Sequence, residues 1–212
     1  GSINHSFNGS GSIAGTGTLT KSGTGTLTIN TANTFSGGST ISAGKVVVGN
    51  ATALGLGSVA ISGSTLELNN VTLGNAIVGT GSNTLDGTGT LSGVISGAGS
   101  FTKVGAGSIT LSDANTFSGG LTINAGTVVA SNIGNLGGAA ANVTLNAGAL
   151  NWTGTLDFGG GASYTQTGGT GTSTAGEFWV GGTGAGTMTM SGGSVSTGSW
   201  FVVGRNGTGV LN

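Results

Sequence analysis

The sequence predicts an all-β protein folded as a right-handed parallel β-helix (β-solenoid) of about nine or ten coils. Three observations predict it: a composition that disfavours helix, short segments in which apolar and hydroxyl residues alternate, and internal repeats. Right-handed coiling is expected because parallel crossover connections nearly always take that hand. The alternative is a β-propeller with blades of about 40 residues, which would need longer antiparallel strands.

The composition excludes several other classes of fold. Glycine accounts for 49 of the 212 residues, charged residues for only 4%, and proline is absent. Frequent threonine, valine and isoleucine favour strands over disorder. Glycine interrupts every long segment, which disfavours helix, and collagen is excluded because glycine does not recur at every third position.

The charge balance and the hydropathy pattern also limit the partners. A net charge of −1 provides no basic surface, so we expect no nucleic acid as a partner. No stretch of about 20 apolar residues is present, so we expect no membrane insertion by this segment. Cysteine is absent, which rules out a disulfide framework.

Short strands are predicted wherever apolar residues alternate with threonine or serine. Such segments occur at Thr26–Ile29, Ser108–Leu111 and Thr187–Met190, each bounded by glycine, asparagine or serine. Alternation places the apolar residues on one face of each strand and the hydroxyls on the other. Strands this short cannot form a core alone, so they must stack.

A long internal repeat indicates how they stack. Residues 13–48 and 95–130 align without a gap at an offset of 82 residues, are identical at 21 of 36 positions, and share the segment ANTFSGG. We interpret the offset as about four coils of roughly 20 residues. Equivalent residues would then lie above one another, with about 4.8 Å between successive coils.

Four residues of this repeat are expected to form stacking ladders. Asn33 and Asn115 suit turns, because asparagine tolerates a left-handed backbone and its amide can bond along the stack. Phe35 and Phe117 are expected to occupy the same radial position in the core.

A shorter repeat follows in the C-terminal quarter. Residues 178–188 match residues 201–211 at an offset of 23. The chain is therefore expected to comprise an N-terminal edge coil (1–12), a β-helix built on the long repeat (13–160), and a continuing β-helix with the 23–24-residue repeat (161–212).

Two tryptophans in the shorter repeat are the candidate contact residues. Alternation places Trp179, Trp200 and Val202 on one face of their strands. We favour a core location for the tryptophans, because large aromatic side chains are mostly buried. The alternative is an exposed patch that contacts a glycan or a neighbouring rod.

The long repeat resembles a known family. Its motif, GxGxLTKxGxGTLTxxxxNTFSGGxTIxAGxVxV, covers Gly15–Val48 and Gly97–Val129 and is similar to the autotransporter-associated β-strand repeat of bacterial passenger domains. The C-terminal segments resemble a related repeat of similar surface proteins. These resemblances imply a right-handed β-helical stalk displayed outside the cell, and they imply no reaction.

The charged residues do not indicate a catalytic site. No two of the five acidic residues fall within 18 positions of each other, whereas glycan hydrolysis needs paired carboxylates. We therefore predict no enzymatic activity, no cofactor and no metal site. Lys21 and Lys103 occupy the same position of the repeat and are expected at solvated corners.

Together these observations predict a non-enzymatic structural segment of an extracellular or surface-displayed bacterial stalk or fibre. A nearly uncharged, hydroxyl-rich exterior and open strand edges favour self-association, either end to end or lateral. The alternative is an adhesin module that binds extracellular glycans or surfaces through an aromatic patch at Trp179 and Trp200.

Overall fold

The computed structural model, which describes residues 2–138 and 140–212, is a solenoid of parallel strands with about ten coils. Its strands form sheets of 16, five and three members, and neighbouring strands pair in parallel. This confirms the predicted β-helix. It excludes the propeller, whose blades pair antiparallel. Within the described residues, no helix combines the length and the hydrophobicity needed to span a membrane.

Each coil contributes backbone to three faces of the rod. Face 1 begins with a five-stranded sheet and ends with a three-stranded one; between them lie residues 116–118 and a 3₁₀ turn at Ile133–Leu136. Its strands are β2 (Leu19–Lys21), β4 (Ser39–Ile41), β6 (Val59–Ser62), β8 (Ile77–Thr80), β10 (Ile95–Ser96), β17 (Leu156–Phe158), β20 (Phe178–Val180) and β23 (Phe201–Val203).

Face 2 carries hydrogen-bonded strands from one end of the rod to the other. It comprises β1 (His5–Phe7), β3 (Thr26–Ile29), β5 (Lys45–Val48), the first parts of β7 (Thr65–Leu73) and β9 (Ser82–Leu91), β11 (Ser100–Lys103), β13 (Leu121–Ile123), β15 (Asn142–Leu145), β18 (Ser163–Gln166), β21 (Ala185–Met190) and β24 (Thr208–Leu211).

Face 3 begins with the segments 13–15, 34–36 and 53–56, which hydrogen-bond between coils without regular strands. It continues through residues 71–73 of β7 and 89–91 of β9, where both strands bend from face 2 onto face 3. In β7 the turn occurs at a bulge where Asn70 has φ of 54°. The remaining strands are β12 (Ser108–Leu111), β14 (Thr127–Ala130), β16 (Ala149–Trp152), β19 (Thr170–Thr172) and β22 (Ser194–Ser196).

The core is formed by the inward side chains of all three faces. In β3 and β12, for example, every second residue is buried and the threonines and serine between them are half-buried. Toward the C-terminus the core becomes aromatic. Phe178 lies at its centre, with ring centroids 5.2–5.6 Å from those of four other aromatic residues: Trp152, Phe158, Tyr164 and Phe201.

The two copies of the long repeat do not lie in register along the rod. Leu19 starts a column on face 1 that rises through residues 39, 59 and 77 to Ile95. The repeat-equivalent of Leu19 is Phe101, which instead pairs with Asn83 on face 2. The offset of 82 residues therefore corresponds to four coils plus one further face. The expectation of a whole number of coils is wrong.

Both ends of the rod expose apolar side chains. At the N-terminal end, Ile3 and Phe7 line a cleft of about 450 Å³ beside β2. At the C-terminal end, Phe201 and Leu211 line a second cleft of about 340 Å³. Of the predicted edge coil at 1–12, Gly1 lies outside the described residues.

Candidate functional site

The candidate site lies on the outer surface of face 1, where β20 and β23 are adjacent. Phe178 and Val180 are completely buried, so Trp179 between them points outward and is half-buried. Val202 is its register partner in the next coil. Trp200, just before β23, is 69% exposed. The favoured core location of Trp179 and Trp200 is therefore wrong, because strand alternation gives the inward positions to their neighbours.

The core tryptophan of this region is Trp152. It is 2% exposed and its indole N–H donates to the carbonyl of Glu177 at 3.1 Å. A buried indole needs such a partner. Trp179 differs, because its Nε1 is buried without a hydrogen-bond partner among the described residues.

Arg205 covers the outer face of Trp179. Its guanidinium carbon lies 4.6 Å from the ring centroid, within the range of a cation–π contact. Arg205 follows the end of β23, and the 23-residue offset places it opposite Gly182 of the preceding coil. The contact therefore depends on the register of two consecutive coils.

Asp157 fixes the turn beneath this contact. Its carboxylate accepts hydrogen bonds from the backbone N–H of Gly182 at 2.9 Å and from the hydroxyl of Thr183 at 2.6 Å. A Cβ at position 182 would lie 2.4 Å from Cε3 of Trp179, so the turn requires glycine there. The turn and the indole are thus held against each other.

A cleft of about 260 Å³ opens beside these residues. It is lined by Glu177, Trp200, Val202 and Arg205. Sequence reasoning identified Trp200 and Val202 and did not identify the two charged residues. The signal that could have found Glu177 is the 23-residue offset, which places it beside Trp200 in the adjacent coil.

The two asparagines predicted to form ladders have equivalent roles in their own coils. Asn33 Oδ1 accepts from the N–H of Ile13 at 2.9 Å, and its Nδ2 donates to the carbonyl of Ala53 at 2.7 Å. Asn115 makes the same two bonds, with Ile95 and Asn135, both at 2.7 Å. Each amide therefore joins three successive coils.

The repeated phenylalanines are both buried, and they lie on different faces. Phe35 belongs to face 3, where its carbonyl accepts from the N–H of Leu56. Phe117 belongs to face 1 and packs edge-on against Phe101, with ring centroids 5.2 Å apart. The expected shared radial position is not found, because the second copy of the repeat is turned by one face.

The lysines of the repeat do not lie at solvated corners in both copies. Lys103 is fully buried, and its ammonium donates to the carbonyls of Val104 and Gly105. Burial lowers the pKa of Lys103 below its ordinary value, and the nearby Asp86 carboxylate partly opposes this shift. The expectation is therefore wrong for Lys103, whereas Lys21 is half-exposed.

One group of charges lies outside the cleft, on face 2. Glu67 and Asp86 are register neighbours in adjacent coils, and the ammonium of Lys45 lies 2.6 Å from one carboxylate and 3.4 Å from the other. The hydrogen bond to Glu67 raises the pKa of Lys45 above its ordinary value. Stacking has thus brought two acids together, and the lysine between them holds them as an ion-pair group.

Comparison with known proteins agrees with this structure. Residues 19–48 and 101–130 match the model of the passenger-associated-transport repeat. The chain is 36% identical over 155 residues to the adhesin BmaC autotransporter of Brucella suis biovar 1; the match covers 63% of this chain and 4% of that protein. No solved structure matches the chain.

The stacked fold and the two repeat matches show a parallel β-solenoid that carries passenger-associated-transport repeats. The chain is similar to part of an autotransporter adhesin. The resemblance identified from the sequence motif is therefore confirmed. The chain spans only a small part of the length of its relative.

Proposed function

We propose that this chain is a rigid, non-enzymatic spacer in a bacterial passenger that is secreted or displayed at the cell surface. The observation that carries the proposal is the unbroken series of parallel pairings on face 2, from β1 to β24. Each coil bonds to the coil below and to the coil above, so the rod resists bending. About ten coils correspond to a length of roughly 45–50 Å.

The surface supports the same function. Only nine side chains in the sequence carry a formal charge, and the remaining surface is largely glycine, serine and threonine. Such a surface is suited to spanning a distance without attracting charged molecules. The similarity to an autotransporter adhesin supports a location outside the cell.

A display experiment tests the spacer role. One or two tandem copies are placed between an outer-membrane anchor and an epitope tag, and the height of the tag above the membrane is measured by fluorescence energy transfer. A rigid spacer adds roughly 45–50 Å for each copy. A tag height that does not increase with the second copy would refute the proposal.

We also propose that copies associate end to end. In the 212-residue chain itself, β1 and β24 each pair with one strand among the described residues, and the other edge of such a strand can pair with a second copy by β-augmentation. Both ends also expose apolar side chains, including Ile3 and Leu211. Light scattering should show a mass that increases with concentration, and a constant monomer mass up to millimolar protein would refute the association.

A second candidate function is a binding role, which would make the chain part of the adhesive surface. The observation that favours it is Trp200, whose large aromatic side chain is 69% exposed beside a cleft that also contains charged groups. Exposed aromatic clusters mark contact sites. Loss of adhesion to a glycan-bearing surface on Trp200→Ala would support this role.

A further inference from the structure

We infer that the cleft between Glu177, Trp200, Val202 and Arg205 binds a neutral hexopyranose residue of a glycan. The inference rests on the proposed binding role and specifies its ligand. Three features of the cleft favour this ligand: its shape, the hydrogen-bonding capacity of its two charged residues, and the paired strands that hold them.

The parallel register brings the lining residues together. The N–H of Phe178 donates to the carbonyl of Trp200 at 3.0 Å, which places Glu177 and Trp200 at the same corner of adjacent coils. On the other side, the N–H of Asn206 donates to the carbonyl of Gly182 at 3.2 Å, which places Arg205 over the preceding turn. Val202 also lines the cleft.

Both charged side chains in the cleft retain their full hydrogen-bonding capacity. Among the described residues, the ion pairs are those of Lys45 on face 2, and neither the Arg205 guanidinium nor the Glu177 carboxylate has a hydrogen-bond partner. A guanidinium offers five N–H donors, and a carboxylate accepts through two oxygens. The cleft thus presents donors on one side and acceptors on the other.

A neutral sugar ring complements this arrangement. One face of a hexopyranose carries C–H groups that pack on an indole, as Trp200 permits, while its hydroxyls both donate and accept hydrogen bonds. Glu177 would accept from hydroxyls and Arg205 would donate to them. The carboxylate of an acidic sugar would be attracted by Arg205 and repelled by Glu177 in the same small cleft, so its charge brings no net gain that offsets the cost of desolvating it.

The size of the cleft limits the ligand to a single ring. Its volume of about 260 Å³ lies just below the range of roughly 300–1,000 Å³ that is usual for larger ligands. The wall formed by Arg205 is held in place, because Asp157 fixes the turn at 182–183 and Arg205 rests on Trp179. Preorganised walls reduce the entropy lost on binding.

The experiment is a titration of the whole chain with defined sugars, followed by NMR of the tryptophan indole N–H signals. The probes are lactose, maltotriose and mannotriose, with sialyllactose as the acidic counterpart of lactose. We expect at least one neutral sugar to shift the Trp200 signal and to bind more tightly than sialyllactose. Weaker binding of every neutral sugar than of sialyllactose would overturn the inference.

Single substitutions test whether the neutral sugar binds in this cleft. Trp200→Ala and Glu177→Gln should each weaken binding of the neutral sugar at least tenfold. The matched controls are Leu56→Ala, an apolar residue that is 64% exposed on another face, and Asp113→Asn, a carboxylate whose described hydrogen bond is to the N–H of Ala114. The controls should bind within twofold of the parent chain. Equal effects of site and control variants would overturn the inference.

A parallel adhesion assay on host-cell surfaces separates this inference from the binding role. Adhesion that depends on Trp200, without binding of any neutral sugar, would refute the hexopyranose ligand and leave the binding role intact. Absence of both adhesion and sugar binding would refute both. The spacer function is tested separately by the tag-height measurement.

Discussion

Leu19 and Phe101 occupy the same position of the repeated sequence and lie on different faces of the rod. Leu19 pairs with Ser39 on face 1, whereas Phe101 pairs with Asn83 and Leu121 on face 2. Each copy of the passenger repeat thus begins one face further around the rod than the copy before it. A side chain that recurs in every such repeat would follow a spiral along a longer passenger.

The first prediction concerns the buried asparagine amides. Asn115→Ala should lower the free energy of unfolding by about 2–4 kcal/mol, because it leaves the N–H of Ile95 and the carbonyl of Asn135 without partners in the interior. Denaturant unfolding measures the change. Asn124→Ala, at an exposed position, is the matched control and should change stability by less than about 0.5 kcal/mol. Similar losses for the two variants would contradict the bridging role.

The second prediction concerns the aromatic core. Phe178→Ala should destabilise the protein by about 3–5 kcal/mol, because it removes the ring that contacts four other aromatic residues. Near-ultraviolet circular dichroism should weaken in parallel. Trp200→Ala removes a larger aromatic side chain from the surface and should leave the stability almost unchanged. A large loss on Trp200→Ala would show that its exposed position is wrong.

The third prediction concerns alkaline pH. Burial raises the pKa of Tyr164 above its ordinary value of 10.0. The folded state therefore retains the phenol proton where the unfolded state releases it, so stability should fall as the pH rises above 10.0. Tyr164 is the only tyrosine in the sequence, so the change in ultraviolet absorbance on phenol ionisation reports this residue alone.

The absorbance change should coincide with unfolding rather than precede it. Tyr164→Phe should remove the part of the alkaline destabilisation that this residue causes, at the cost of the hydrogen bond from its hydroxyl to Gln166. Ionisation near pH 10 in a protein that remains folded would contradict the buried position.

The fourth prediction concerns the ion-pair group on face 2. Lys45→Met should destabilise the rod by up to about 1 kcal/mol at low salt, because it leaves Glu67 and Asp86 as stacked like charges. The loss should diminish at about 1 M salt, where charges are screened. In the parent chain this stabilisation is complete between neutral pH and pH 10.5, and it is lost as the pH rises through the raised pKa of Lys45.

Asp113→Asn removes a carboxylate from another part of the rod and should show no comparable dependence on salt. A loss on Lys45→Met that is equally large at high salt would indicate a packing defect instead of lost ion pairing.

The sequence was sufficient to predict the parallel solenoid, its approximate number of coils and many of its strands, because strand alternation and repeat spacing follow directly from the backbone geometry. The rotation of the repeat could not be predicted, because coil length is not constant. Lys103 follows its register partner Leu85 by 18 residues, whereas Met190 follows Gln166 by 24. Identity between two copies shows that their local structures are alike and does not show how many faces separate them.

The candidate site was only partly predictable for a related reason. Alternation shows which residues share a face of a strand and does not show which face points inward. It therefore puts Trp179 and Trp200 on the same face without showing that this face is the outer one. The inward assignment of Phe178 depends on its packing against Trp152 and Phe158, which come from earlier coils. The burial of Lys103 could not be inferred from its position in the repeat either, because the same position is half-exposed in the first copy, at Lys21, and buried in the second.

The most direct test of the rotated stacking uses pairs of nitroxide spin labels, since the chain has no cysteine of its own. Thr84→Cys/Thr102→Cys labels register partners on face 2, and Val78→Cys/Ser96→Cys labels register partners on face 1. Both pairs should show strong dipolar broadening. A third pair, Val78→Cys/Thr102→Cys, labels residues that would be neighbours only if the repeat spanned a whole number of coils. This pair should show little dipolar broadening. Strong broadening in this third pair, with none in the first, would contradict the structure described here.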